Sequence, residues 1–167
     1  MNKFSEKHNK KIIEDSIGWD IRTPLGKEDD ISNIEPDLDF VLITTPDHEI
    51  QSVAQNLNQT NAIVAHVSGA TGLRSLLPHE NRASLHPLVS MPTPEIGKKR
   101  LLENSWFAID GDPRIELIVN ALGGQRFHIT DALRPLYHAT ASIASNHLVV
   151  LMAQVERLSN ELSIPFE

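Results

Sequence analysis

The sequence predicts an α/β protein in which a parallel sheet with helical connections runs into a long helical segment. Three observations carry this. FVLITTP (40–46), AIVAHVSG (62–69) and ASLHPL (83–88) are compact apolar and β-branched runs, and unbroken rather than alternating apolarity marks strands covered on both faces. Between the first two, DHEIQSVAQNL sets Ile50, Val53, Ala54 and Leu57 at helical spacing, so strand, tight loop and helix form half of a βαβ unit. From about Pro135 to Leu162 the period is helical, and the first half is so apolar that it should pack against something large.

The elements follow in order. FSEKHNKKIIEDSIG can hold a short helix, capped by Ser5 and stopped by Gly18. Residues 26–39 are polar or turn-forming and read as a loop. Pro46 ends the first strand, and Asp47 can cap the helix after it. After the second strand, GATGLRSLLP gives a loop and a short helix, and the third strand runs into the Pro-rich loop LVSMPTPE. SWFAIDG reads as a further strand. DPRIELIVNALGG reads as a helix with Asp112 as cap, Pro113 in its first turn and Gly123 and Gly124 closing it. QRFHIT is a short strand before the final helix.

Composition excludes several functions. The 167 residues are 40% hydrophobic and 22% charged, the numbers of a globular domain able to bury a core. Net charge is −7 and Lys98, Lys99 and Arg100 form the one basic run, so no footprint for nucleic acid is expected. The absence of cysteine removes disulfides and thiolate chemistry and fits a reducing compartment, so the expected location is cytoplasmic. Neither a signal peptide nor a run of the roughly 20 apolar residues that a membrane span needs is legible, so no membrane association is expected. The eight histidines show no HxH or HExxH spacing, and no metal is expected.

Open parallel sheets bind ligands beyond the carboxyl ends of their strands, and three motifs stand at such ends. In TTPD, Thr45 and nearby backbone groups are free to meet a ligand; the plain alternative is a strand-to-helix turn. In HVSGATG, Ser68, Gly69 and Gly72 permit close backbone approach. In SLHPL, Pro87 holds His86 extended, so its imidazole is aimed from the strand tip; it could act as acid or base, or bond a backbone carbonyl and do nothing more. The stretch YHATASIASNHL adds a polar stripe. His138, Ser142, Ser145 and Asn146 fall on one face at 3.6 residues per turn, and such a face needs water, a partner segment or a ligand.

The succession LITTPDHEI, HVSGATGL, SLHPL, FAIDGDP, LGG and YHATASIASNHLVVL resembles the bacterial Rossmann-like proteins that carry a C-terminal helical domain of unknown function, relatives of pyrroline-5-carboxylate reductase and prephenate dehydrogenase. The resemblance covers about residues 38–160. It implies a partial Rossmann-like dinucleotide-binding domain over 1–130 and the beginning of the helical domain over 131–167. It further implies NAD or NADP binding, with Thr45, Pro46, Ser68 and Gly69 on the nicotinamide side. A small-molecule substrate would lie in a cleft where His86 and His138 are candidates to move the proton and Ser145 and Asn146 hold the substrate. A homodimer through the C-terminal helices is included in the expectation.

One departure from that family is plain: no GxGxxG occurs, and the glycines before the TTPD strand are Gly18 and Gly26 alone. The first strand, its glycine loop and the first helix are therefore expected to be missing, giving an incomplete Rossmann-like sheet in a piece of a longer protein. Such a chain would bind dinucleotide weakly or not at all, because the phosphate cradle is what the glycines make. The rival expectations are a non-catalytic binding protein that kept part of the fold, and an interaction module completed by another chain.

Overall fold

The computed structural model describes residues 19–26, 28–32 and 34–165; the predicted opening helix lies outside them. Five strands form one sheet in the order of the chain: β1 (Phe40–Ile43), β2 (Ile63–His66), β3 (Arg82–Pro87), β4 (Trp106–Gly111) and β5 (Gln125–His128). Pairing is parallel from β1 to β2 to β3 and from β4 to β5. The α/β Rossmann-like class is as predicted, but the sheet is mixed, because β4 runs antiparallel to β3.

The connection before this reversal holds an element that the run of apolar strands does not predict. After β3 the Pro-rich loop leads into α2 (Pro94–Leu102), a helix where only a connection was expected. Thr93 caps it by accepting from the Ile96 N–H, and Pro94 occupies its first turn. Nine residues rise about 13 Å. Phe107 pairs with Pro87, so β4 starts at the end of the sheet where β3 stops and runs in the opposite sense.

The other connections follow the predicted pattern with a 3-10 turn at each entry. Asp47–Glu49 precedes α1 (Ile50–Asn56), and Pro113–Ile115 precedes α3 (Glu116–Ala121). Asp112 caps as predicted, its carboxylate accepting from the Arg114 N–H. Asp47 makes no cap bond; Pro46 holds that position with no side-chain acceptor to offer. Leu73–Leu76 is a single 3-10 turn. Gly123, at φ +68, ends α3 in the left-handed region, and the Gly124 N–H returns to Val119 O.

Both faces of the sheet are covered. Ile63, Ala65, Leu85, Phe107 and Ile109 bury against Ile115, Ile118 and Val119 of the α3 segment. On the opposite face, Ile43 and Val64 pack with Ile50, Ala54 and Leu57 around α1 and with Leu76. The pleat thus sends Ile63 and Ala65 one way and Val64 the other, burial of Ile63 or Val64 being worth about 2 kcal/mol each. By the same alternation His66, Ser84, His86 and Asp110 belong to the α1 face. Among the described residues β1 pairs with β2 alone, and Leu42 at its centre is 43% exposed.

The last segment is one rod in three parts: α4 (Arg134–Ser142), a π-helical turn (Ile143–His147) and α5 (Leu148–Glu161). Only its start is embedded. Leu148, Val149, Val150, Leu151 and Met152 are 45–66% exposed, so no described residue supplies the large packing partner that their apolarity demands.

Candidate active site

The carboxyl ends of β2 and β3 carry a row of polar side chains that the sheet register creates. His66 stands opposite Ser84, and Ser84 opposite Asp110, so three strands place one polar group each side by side on the α1 face. Arg134, at the first position of α4 and 1% exposed, lies across this row. Its Nη2 donates to Ser84 Oγ and stands 3.7 Å from Asp110 Oδ2, while Nε donates to Asp131 Oδ1 at 2.9 Å. Asp131 in turn accepts from the Leu73 N–H with both oxygens, at 3.1 and 3.0 Å. One buried cation therefore ties the sheet, the loop after β2 and the start of the long helix together.

One helical turn on, Tyr137 meets His86. Its hydroxyl lies 2.6 Å from His86 Nδ1, and the two rings are edge-on at 83° with centroids 5.5 Å apart. Positions 134 and 137 share a helix face, and positions 84 and 86 share a strand face, so the two contacts are a matched pair. Phe127 also packs edge-on against Tyr137, with ring centroids 5.8 Å apart. The opposite edge of the imidazole sits against Gly69, where a Cβ would come within 2.9 Å of Nε2.

The electrostatics keep these imidazoles neutral. Burial holds the His66 pKa at about 4, with the Arg134 charge adding to the effect and the nearby Gly72 backbone acting weakly the other way, although neither ring nitrogen makes a hydrogen bond of good geometry. His86 is also pushed below the ordinary histidine value, first by burial and then by His138 and Arg134. Burial raises Tyr137, which stays a phenol.

The structure brings some of the residues singled out in the sequence together. His86 and Gly69 are in contact, and His138 is near enough for its charge to act on His86. Ser68 is buried, but its hydroxyl is spent inside its own loop, accepting from Ala70 and Thr71 N–H groups at 3.2 and 3.0 Å. Thr45 Oγ1 is buried without a partner, and Pro46 is exposed. Ser145 and Asn146 are exposed in the π-helical turn, where Ser145 donates back to Ala141 O. The wider turn breaks the 3.6-residue count on which their shared face with His138 rested. Arg134, Asp131, Tyr137 and His66 were not singled out, because their partners lie on distant segments that only the folded sheet brings together.

An open cleft of about 400 Å³ lies between α1 and the loop after β2, lined by Gln51, Thr71, Gly72, Arg74 and Asp131, and His86 is not among its walls. The described residues contain no cluster of three or more metal-ligating side chains, and no helix among them is long and apolar enough to cross a membrane.

A Rossmann-like sheet with a helix rising from its crevice is the class that this arrangement defines. The sequence profile of DUF2520, a domain of unknown function, matches residues 105–167. Protein TM1727 from Thermotoga maritima is similar with a TM-score of 0.64 and 28% identity, over 80% of this chain and 54% of its own. BF3122 from Bacteroides fragilis, described as a proposed NADP oxidoreductase, gives 0.60 and 15%, over 81% and 55%. Prephenate dehydrogenase from Aquifex aeolicus gives 0.51 and 20%, over 74% and 50%. The last two likenesses are of fold. The chain spans about half the length of the solved proteins it matches. No protein of curated function matches it.

Proposed function

We propose that this chain is the substrate side of an NAD(P)-dependent oxidoreductase that acts on a small polar substrate, with His86 serving the proton side of the reaction. The observation that carries the reading is the His86 imidazole itself. It stands at the end of a parallel strand in the sheet crevice, neutral through burial, with one nitrogen engaged by Tyr137. Its fold is that of dehydrogenases, one of which is described in complex with hydroxyphenyl propionate and NAD+.

The residues present fit one end of the cofactor. Thr45 offers a buried hydroxyl with no partner, which a polar group such as a carboxamide would satisfy; Pro46 follows it beyond β1, and Gly69 lies beyond the end of β2, the strand paired with β1. They do not fit the pyrophosphate, since none of the 167 residues forms a GxGxxG loop. Binding of a whole dinucleotide by this chain is accordingly weak. When bound, the nicotinamide supplies or takes the hydride; His138 stands beside His86 as the second titratable group, and the exposed Ser145 and Asn146 hold substrate atoms.

Nicotinamide mononucleotide is the probe that tests this, because it needs no pyrophosphate cradle. In the isotope-labelled chain it should shift the amide signals of Thr45, Gly69 and His86. Shifts confined to other regions, or none at millimolar probe, would leave the non-catalytic reading in place.

A second reading concerns assembly and is favoured by the exposed apolar side chains of α5. A surface of that extent marks an interaction site, and its occupant is the same helix of a second copy.

A further inference from the structure

We infer that Tyr137 is a positioning residue that holds His86 as the Nε2–H tautomer and so presents a hydrogen-bond donor to the ligand site; this rests on His86 being the group that faces substrate. The sequence reading took His138, the next residue, for the active member of this turn. The geometry assigns a role to its neighbour instead.

Tyr137 occupies Nδ1 completely. At 2.6 Å the contact is a short hydrogen bond, and the ring that makes it is fixed by Phe127 and by its place one turn after the buried Arg134. The phenol proton has no other acceptor among the described residues. Satisfying it makes Tyr137 the donor and Nδ1 the acceptor, which leaves the imidazole proton on Nε2. The Nε2 edge is the one turned to Gly69. A side chain there would press on the ring, since an added Cβ falls 2.9 Å from Nε2 and 3.0 Å from Cε1, so glycine is what lets the imidazole keep this orientation.

The choice of a phenol has a chemical consequence. A carboxylate at Nδ1 would favour the imidazolium, whereas a neutral hydroxyl orients the ring without doing so. A neutral imidazole with its proton on Nε2 donates to an acceptor atom, a carbonyl oxygen or an imine nitrogen, and polarises the carbon attached to it. The site is therefore built for a substrate whose reacting carbon carries such an acceptor. No bond is broken within the Tyr137–His86 pair when the ligand is held.

Nitrogen-15 spectra of the histidine side chains in the full chain at neutral pH test the inference. The wild type should show His86 with a protonated Nε2 and an unprotonated, hydrogen-bonded Nδ1. Tyr137→Phe keeps the ring packing and removes the hydroxyl, so His86 should fall back to a mixture of both tautomers. Phe127→Leu loosens the packing but keeps the hydroxyl, and should leave the single tautomer in place. A protonated Nδ1 in the wild type, an unchanged tautomer in Tyr137→Phe, or a mixture in Phe127→Leu would each overturn it. The nicotinamide mononucleotide titration fails or succeeds independently, so loss of the functional reading and loss of this one are told apart.

Discussion

Arg134 closes on Ser84, a residue 50 positions earlier, and its guanidinium is the sole charged group among the described side chains that is almost wholly buried. The contact fixes where the long helix begins. Because Tyr137 follows three residues later, it also fixes where His86 finds its partner.

Removing that cation should unfold more than a helix end. Arg134→Met removes the cation that Ser84, Asp110 and Asp131 share; both carboxylates keep contact with solvent, so we expect a loss of about 1.5–3 kcal/mol in urea denaturation. Arg134→Lys should recover less than half of it, since an ammonium cannot span Ser84 and Asp131 with two separate arms. Wild-type stability in Arg134→Met would refute the assignment.

His66 makes stability depend on acid. Its folded pKa of about 4 lies below the ordinary 6.5, so between those values the unfolded chain binds a proton that the folded chain does not. Stability is then complete above 6.5 and falls as pH drops toward 4, by about 3 kcal/mol from this group. His86, shifted the same way, adds in the same direction. His66→Leu should flatten the profile. Neither ring nitrogen makes a hydrogen bond of good geometry, so the cost at neutral pH should stay within about 1 kcal/mol, the worth of the weak Gly72 contact.

Two glycines with positive φ should respond differently to alanine. Gly123, at φ +68, has nothing within 4 Å of an added Cβ, so Gly123→Ala should cost about 1 kcal/mol for the backbone alone. Gly111, at φ +90, would place its Cβ 2.2 Å from Arg82 O, at the end of β4 where it pairs with Ala83 near the start of β3. Gly111→Ala should cost at least twice as much, read as the difference in melting temperature between the two variants.

If α5 is the dimer surface, light scattering after size exclusion should give twice the chain mass, and Leu151→Asp should halve it. A wild-type monomer with no tendency to associate would dispose of that reading.

Much of the fold was legible because strands covered on both faces are written as unbroken apolar runs. FVLI, IVAH and the centre of β3 could be placed by composition alone. The sense of β4 was not, because it is set by the end of the sheet to which the 88–105 connection returns, and α2 within that connection was hidden too, its signature of Thr93, Pro94 and Glu95 being short and set inside a Pro-rich loop. The site was half legible. His86 could be singled out because Pro87 fixes its direction locally, but its partner Tyr137 lies 51 residues away, and only the folded sheet brings them together. Arg134 was hidden for the same reason, its acceptors coming from β3, β4 and the turn before the helix. Ser145 and Asn146 were assigned to a face by a 3.6-residue count that the π-helical turn does not keep.

That turn, Ile143–His147, divides the rod into two independently phased pieces. Relative to an unbroken α-helix, every side chain after His147 is rotated by a fraction of a turn about the axis, while Arg134 and Tyr137 stay clamped to the sheet. The direction in which Leu148 to Val155 face is therefore a separate variable from the alignment of His86. Deleting one residue from the turn would re-index the apolar half without disturbing the polar half, so the surface that meets a neighbour can change over evolutionary time while the site beneath it is held constant.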